Sequence, residues 1–424
     1  MRIIGLCTMV LFLVSGEALG REGDPLEALV ESAGRDPLKL VQVGDLFVEA
    51  KRLKEAKKLY REAERRGEKH GEAKLGAARI RMARGQFSQV KHACRLITQE
   101  YPKRGVGEVC SGWFWLSKGR SARALDDFKK VVKKGDVARG KTGLGEALRK
   151  QGNFKEAIAA YGDAIESGAG YRAFLGRGLA EEASGNKKAA LASLKKSVEM
   201  EPGSCLAHYH YGRLLNMGAE AARHLEMALK MRPSWPEAGM VLGKLYLELG
   251  QHEKAIGVFQ ATLSGESGRG EAYFGLGRAY FGVGKKEEAQ EALKKTVELI
   301  PNHKAAFLLM ADIHLAAGNN EGVVEALEQA RRVAPGDVNV YVKSGEAFFR
   351  MGRHTSARSL LSQAISMNSK HSRAHVLLGH IACQRHLYDT GKEYYKSALK
   401  GDMVGLNAKE IEKYTRECRS KKKK

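Results

Sequence analysis

A small residue returns along this chain at nearly constant spacing. Gly44, Ala78, Gly112, Gly145, Gly178, Gly212, Gly243, Gly277, Ala311, Gly345 and Gly379 stand 34, 34, 33, 33, 34, 31, 34, 34, 34 and 34 residues apart. A fixed period of about 20–50 residues signals a stack of similar units, because each unit is too small to bury its own apolar face. Within each unit, apolar residues recur at i, i+3, i+4 and i+7 in two stretches, the spacing of two amphipathic helices.

The unit around Gly277 reads Tyr273-x2-Leu276-Gly277-x2-Tyr280, then Gly284, Ala289-x3-Leu293 and Pro301. Around Gly243 it reads Leu242-Gly243-x2-Tyr246, Gly250 and Ala255-x3-Phe259; around Gly145, Leu144-Gly145-x2-Leu148, Gly152 and Ala157-x3-Tyr161. Small residues such as Gly277 and Ala289 let two helices approach, while Leu276, Tyr280 and Leu293 fill the space beside them. Gly284 falls where the first helix must stop, a place that favours a left-handed backbone. Glycine is therefore abundant for structural reasons, at 48 residues against 8 prolines.

This pattern resembles the tetratricopeptide repeat. The resemblance covers about eleven copies over residues 37–405. It implies an all-α, right-handed superhelical solenoid of antiparallel helix pairs, acting as a non-catalytic protein-protein interaction scaffold. Residues 21–36 then form an N-terminal cap segment with a partial helix over Pro25 to Val30, and residues 406–424 a capping helix and basic tail, frayed over Lys421 to Lys424. Three units depart from the pattern. The second carries Lys74 and Val90 at an aromatic and a small place, the sixth lacks three residues between Leu215 and Ala221, and the eleventh has His386 where most have glycine.

The resemblance also implies that the first helix of each unit lines a concave groove. One row on that face runs from Val41, Leu75 and Val109 through Tyr209, Met240 and Phe274 to Val342 and Val376. Four residues on, the same helices carry Asp45, Arg79, Trp113, Glu146, Arg213, Lys244, Arg278, Asp312, Glu346 and His380. The candidate partner-binding residues are Trp113, Tyr209, Arg213, Met240, Lys244, Phe274, Arg278 and Phe281, with Arg213, Lys244 and Arg278 as a basic ladder for a peptide. The same residues equally suit packing between neighbouring helices, with their charges solvated. Paired Arg213→Glu and Arg278→Glu changes are expected to weaken partner binding without unfolding. An Asn- and Lys-bearing clamp for acidic C-termini, known in part of the family, is not carried over, because the asparagines are missing from the matching places.

No nucleotide loop is present. Gly284-Lys285 is followed by Lys286 where a phosphate loop needs Ser or Thr, and Gly275-x-Gly277 is followed by Tyr280 where a dinucleotide fingerprint needs glycine. His380-x2-Cys383-x2-His386 is a poor metal site, since residues six apart on a helix diverge by about 240°. No cofactor, metal or catalytic constellation is expected, and so no enzyme. Residues 1–20 read as a secretory signal peptide, cut after Gly20. No later run is apolar enough to span a bilayer. The expectation is a secreted or periplasmic protein within an envelope-associated assembly.

The net charge of +23 concentrates at the ends. Residues 37–104 hold 18 Lys and Arg against 8 Asp and Glu (+10), and residues 372–424 hold 13 against 6 (+7). Such a field attracts acidic proteins, membrane head groups or anionic glycans, so a glycan-handling accessory protein is the alternative reading. Nucleic acid is disfavoured by export and by the absence of a reading module. The oligomeric state is not encoded legibly. Beyond Cys7 in the leader, five cysteines remain, an odd count without framework spacing. This favours buried thiols over a single bridge, Cys94 with Cys110 or Cys383 with Cys418.

Overall fold

The computed structural model describes residues 23–68, 71–215, 217–263 and 268–422. Among them are twenty-four α-helices and no strand, and no helix is long and apolar enough to cross a membrane. The expected leader, residues 1–20, lies outside the described residues, as does the very end of the basic tail.

The period is written into the backbone at the end of each first helix. Gly284 has φ 82°, and the same left-handed geometry recurs at the matching place in the other units. Two units reach it without glycine, at Lys51 and His386, both with φ 61°. A side chain there meets the following carbonyl, at a cost of about 1 kcal/mol. Lys51 is exposed, so Lys51→Gly is expected to stabilise the fold by about 0.5–1 kcal/mol. An unaltered urea midpoint would refute this. The three missing residues of the sixth unit shorten its first helix to Cys205–Leu215, and the chain re-enters a helix at Ala219 after Gly218 at φ 96°.

Packing within a unit depends on one small-to-large pairing. A Cβ on Gly112 would meet Phe128, one on Gly145 would meet Tyr161, and one on Gly277 would meet Leu293, all inside 3 Å. The large partners are essentially inaccessible to solvent. They also reach the next unit, where Phe128 lies against Gly143 and Tyr161 against Gly176. At the equivalent contact between the degenerate second unit and the third stand Cys94 and Cys110, and there the contact is a disulfide. The Cys383–Cys418 pair is also bridged, and Cys205 alone is a free, buried thiol among the described residues. The expectation of mostly unbridged thiols is thus corrected. Repeat geometry brings Cα atoms 16 residues apart to 5.3 Å in the first case. In the second, the terminal helix folds back over the array, bringing the Cα atoms to 5.7 Å.

The chain divides into two compact units, Met1–Leu249 and Gly250–Lys424. In the first, helix Pro25–Ala33 starts at an Asp24 cap and six helix pairs follow, from Pro37–Glu49 with Leu53–Arg65 to Cys205–Leu215 with Ala219–Met231. Helix Pro236–Glu248 ends it. Its core joins the first pair to the sixth: Leu26, Leu40 and Phe47 share one apolar cluster with Cys205, Met231 and Trp235. In the second unit, His252–Thr262 precedes four pairs, from Arg269–Gly282 with Lys286–Leu299 to Ser372–Gln384 with Tyr388–Leu399. Helix Ala408–Lys422 closes the array, buries Ile411 and Cys418 against Val376 and Tyr395, and is pinned by the Cys383–Cys418 bridge.

Candidate functional site

In the first unit the first helix pair is tied directly to the fifth and sixth. Glu49, at the end of the first helix of the first pair, accepts hydrogen bonds from the Tyr171 hydroxyl at 3.1 Å, Ser204 Oγ at 2.5 Å and the Leu206 amide at 2.9 Å. One turn earlier, Asp45 pairs with Arg79, accepts the Tyr60 hydroxyl at 2.7 Å and lies 3.5 Å from Arg172. Burial opposes the ionisation of Asp45, but Arg79, Arg172 and Tyr60 together outweigh it and hold its carboxyl below the ordinary range. Val41, Leu75 and Val109, read from the sequence as an apolar groove strip, are core residues here. The first helix of the first pair thus lies against the starts of the first helices of the fifth and sixth pairs.

The candidates in this unit fall into different settings. Trp113 sets its edge on Phe128 at 5.8 Å. Tyr209 packs on Trp235 at 4.5 Å, against the joined core. Arg213 donates through Nη2 to both carboxylate oxygens of Glu182, at 2.7 and 2.6 Å. Its reversal to Glu would set two carboxylates together, so that change is no longer a clean probe of binding. Met240 is half-buried and Lys244 exposed.

The second unit presents an open groove of about 1440 Å³. Phe281, Leu315, Val338 and Val342 give it an apolar floor, and the loop residue Val404 stands at its rim, 80% exposed. Charges run along its wall in pairs, most of which link successive first helices, while Arg350 with Glu346 stays within one helix. Lys343 Nζ donates to Asp312 at 2.7 Å, and Arg373 and Arg350 both donate to Glu346 Oε1, at 2.9 and 2.8 Å. Lys304 pairs with Asp337 and holds its carboxyl below the ordinary range. Asn339, Asn368 and His371 add uncharged polar groups. Of the sequence candidates in this unit, Phe281 lines the groove, Phe274 packs on the His303 ring at 4.4 Å, and Arg278 is exposed.

This groove is therefore not lined by a basic ladder. Its cations Lys343, Arg350 and Arg373 face the carboxylates Asp312, Asp337, Glu346 and Asp402. Lys343 and Arg373 were missed because the sequence reading followed two fixed places in each first helix, and both cations sit off those places. The legible signal was a carboxylate at the second place followed by a cation 31 or 27 residues later.

The His380, Cys383 and His386 trio is settled by its partners. Cys383 is bridged, and His380 shares a hydrogen bond with the Tyr395 hydroxyl at 2.9 Å. No group of three or more metal-ligating side chains occurs among the described residues.

The family model for the cilia and flagella-associated protein 70 C-terminal domain matches residues 171–415, and a tetratricopeptide-repeat model matches residues 138–167. Tetratricopeptide repeat protein 37 of Xenopus laevis is 28% identical over 204 residues, which is 45% of this chain and 13% of that protein. The chain thus spans only a small part of that relative. Among solved structures, a tetratricopeptide repeat protein from Parabacteroides merdae is 20% identical, with 59% of this chain and 98% of that one covered and a TM-score of 0.49. Yeast Tom70 is 12% identical, with 92% and 97% covered and a TM-score of 0.44. With the periodic glycines, the paired helices and a family match over more than half its length, the chain belongs to the tetratricopeptide-repeat family, in the group described by the cilia and flagella-associated protein 70 C-terminal domain.

Proposed function

We propose that this repeat scaffold holds an extended segment of a partner protein in the groove of its second unit, in an exported compartment and without catalysis. The open groove with an apolar floor and walls of linked ion pairs is the observation that carries the reading. Apolar contacts supply affinity, while Lys343, Arg373 and their carboxylates present both signs of charge, so a segment of mixed charge can exchange partners with them. Two disulfides support an oxidising compartment and fit the leader-like first residues. Membership of an envelope-associated assembly is the setting we infer for such a scaffold.

Selection of a displayed peptide library against the mature chain tests the groove. Selected peptides are expected to bind Lys343→Ala/Arg373→Ala about thirtyfold more weakly, because each of the two lost charge-assisted bonds is worth roughly 1 kcal/mol at a half-exposed site. Equal binding of every selected peptide by wild type and variant would overturn the groove assignment.

A further inference from the structure

Away from any groove, the turns joining first to second helices in the second, third and fourth helix pairs form a continuous cationic edge. Lys118 lies over the Phe87 ring at 3.7 Å, joining the second turn to the third. A recess of about 600 Å³ joins the third turn to the fourth, lined by Arg120 and Arg123 on one side and Lys150 on the other. Arg84 extends the edge at the second turn. All five cations are exposed, and none forms an ion pair among the described residues. Residues 83–91, 117–125 and 150–155 contain no Asp or Glu. Two matching turns of the second unit differ, with Glu287 and Glu288 after Lys285 and Lys286, and Glu321 with no cation after Gly318, whereas the turn at Gly352 carries the cation Arg353 and, over residues 347–355, no Asp or Glu.

The aromatic residues decide what this edge can hold. The guanidinium of Arg123 lies 4.8 Å from the Trp115 ring centre and that of Arg120 lies 5.7 Å from it. Phe114 covers the ring further at 4.9 Å. Trp115 is thus covered rather than offered as a stacking platform for a sugar or base. It restrains two guanidinium forks beside an uncompensated ammonium, and such forks match carboxylates. Folding gains little from the placement, since cations at the start of helix Ser121–Lys133 face the positive end of its dipole.

We propose that this edge is a second docking surface, which takes a carboxylate-rich segment of a partner protein, with Arg120 and Arg123 gripping carboxylates and Lys118, Lys150 and Arg84 supplying the field. The surface is separate from the groove, so either can fail alone. The test uses the mature full chain and a labelled 20-residue polyglutamate peptide, with a heparin-type sulfated oligosaccharide as the second arm. Polyglutamate should bind at about 50 mM salt and be released at about 0.5 M, as screening shortens the reach of exposed charges. Arg120→Glu/Arg123→Glu should weaken it at least tenfold at an unchanged melting temperature. Arg120→Lys/Arg123→Lys should weaken it about threefold through loss of the forks. Retention within twofold by the reversal variant would overturn the proposal. So would failure of polyglutamate to bind wild type while the sulfated oligosaccharide binds and is lost on reversal.

Discussion

Acidification from pH 7 to pH 5 should loosen the sixth helix pair more than any other part of the first unit. His208 is buried and bonded at both ring nitrogens: Nε2 lies 3.1 Å from the Pro202 carbonyl, and Nδ1 lies 2.9 Å from His224 Nδ1. A carbonyl only accepts, so Nε2 carries the His208 proton, its Nδ1 is the acceptor, and His224 donates from Nδ1. A second proton on His208 would confront the one already held by His224. Burial, with the neighbouring His224, lowers His208 to about 3. Burial, with Arg223, lowers His224 to about 4, and burial, with Arg213 and Arg149, lowers His210 to about 4. All three begin near 6.5 in the unfolded chain, so between pH 6.5 and 4 the unfolded state binds more protons. Their neutral burial is accommodated above pH 6.5, and stability falls as the pH drops toward the folded values. Each histidine costs up to about 2 kcal/mol at pH 5. Hydrogen exchange of Cys205–Leu215 and Ala219–Met231 at both pH values measures the loss. His208→Leu/His224→Leu should remove most of its pH dependence. Equal protection at both pH values, or a full slope in the double variant, would refute the assignment.

These histidines stand in the unit whose spacing falls to 31 residues, and nothing in the sequence singled them out. The periodic glycines announced the helix pairs, the left-handed stops and the two flanking helices, because each of these follows from contacts inside one unit or between adjacent units. What stayed hidden depends on contacts far apart in sequence. Glu49 meets Ser204 and Leu206 more than 150 residues away, and no local pattern records that the first helix pair will lie on the fifth and sixth. The apolar strip read as groove lining became core for two reasons: Val41 joined the cluster between the first and sixth pairs, whereas Leu75 and Val109 were buried between the adjacent second and third pairs. In the second unit the apolar floor was partly legible through Phe281, whereas the paired charges became visible only once helices from successive units lay side by side.

The basic balance of the sequence was legible as a total and by segment, but not by its place on the repeat. Counting by segment placed the excess at the chain ends, yet the structure sorts charge by edge. The turns at 83–91 and 117–125 carry cations without carboxylates, while neighbouring segments on the same helices are compensated, as in Lys134 with Glu108 and Arg139 with Glu72. A periodic fold converts positions one repeat apart into neighbours, so charge is informative in the register of the repeat.

The same register predicts a large effect from adding one methyl group. Gly143→Ala places a Cβ 2.2 Å from Cδ1 of Phe128, a ring with no solvent exposure whose tip is already packed close to Gly112. The ring cannot swing away, so the two helices must separate. Against a helix-propensity gain of about 1 kcal/mol, overpacking costs typically 1–3 kcal/mol and more where the neighbour is fixed, so a net loss of about 2 kcal/mol is expected. The array supplies its own rescue. Aromatic residues Tyr60, Phe128, Tyr161 and Phe259 each face a glycine of the next unit, at Gly76, Gly143, Gly176 and Gly275. Where the large residue is Leu293 or Leu361, the matching places hold Leu309 and Leu377 instead. Phe128→Leu should therefore recover part of the stability lost in Gly143→Ala, although it costs stability in the wild-type background. Gly162, also helical but with open space where its Cβ would stand, provides the control: Gly162→Ala should raise stability by up to about 1 kcal/mol. Urea unfolding of the four variants decides the matter, since equal effects at Gly143 and Gly162, or simple additivity of Gly143→Ala with Phe128→Leu, would mean that ring and glycine are not the coupled pair that sets the spacing between units.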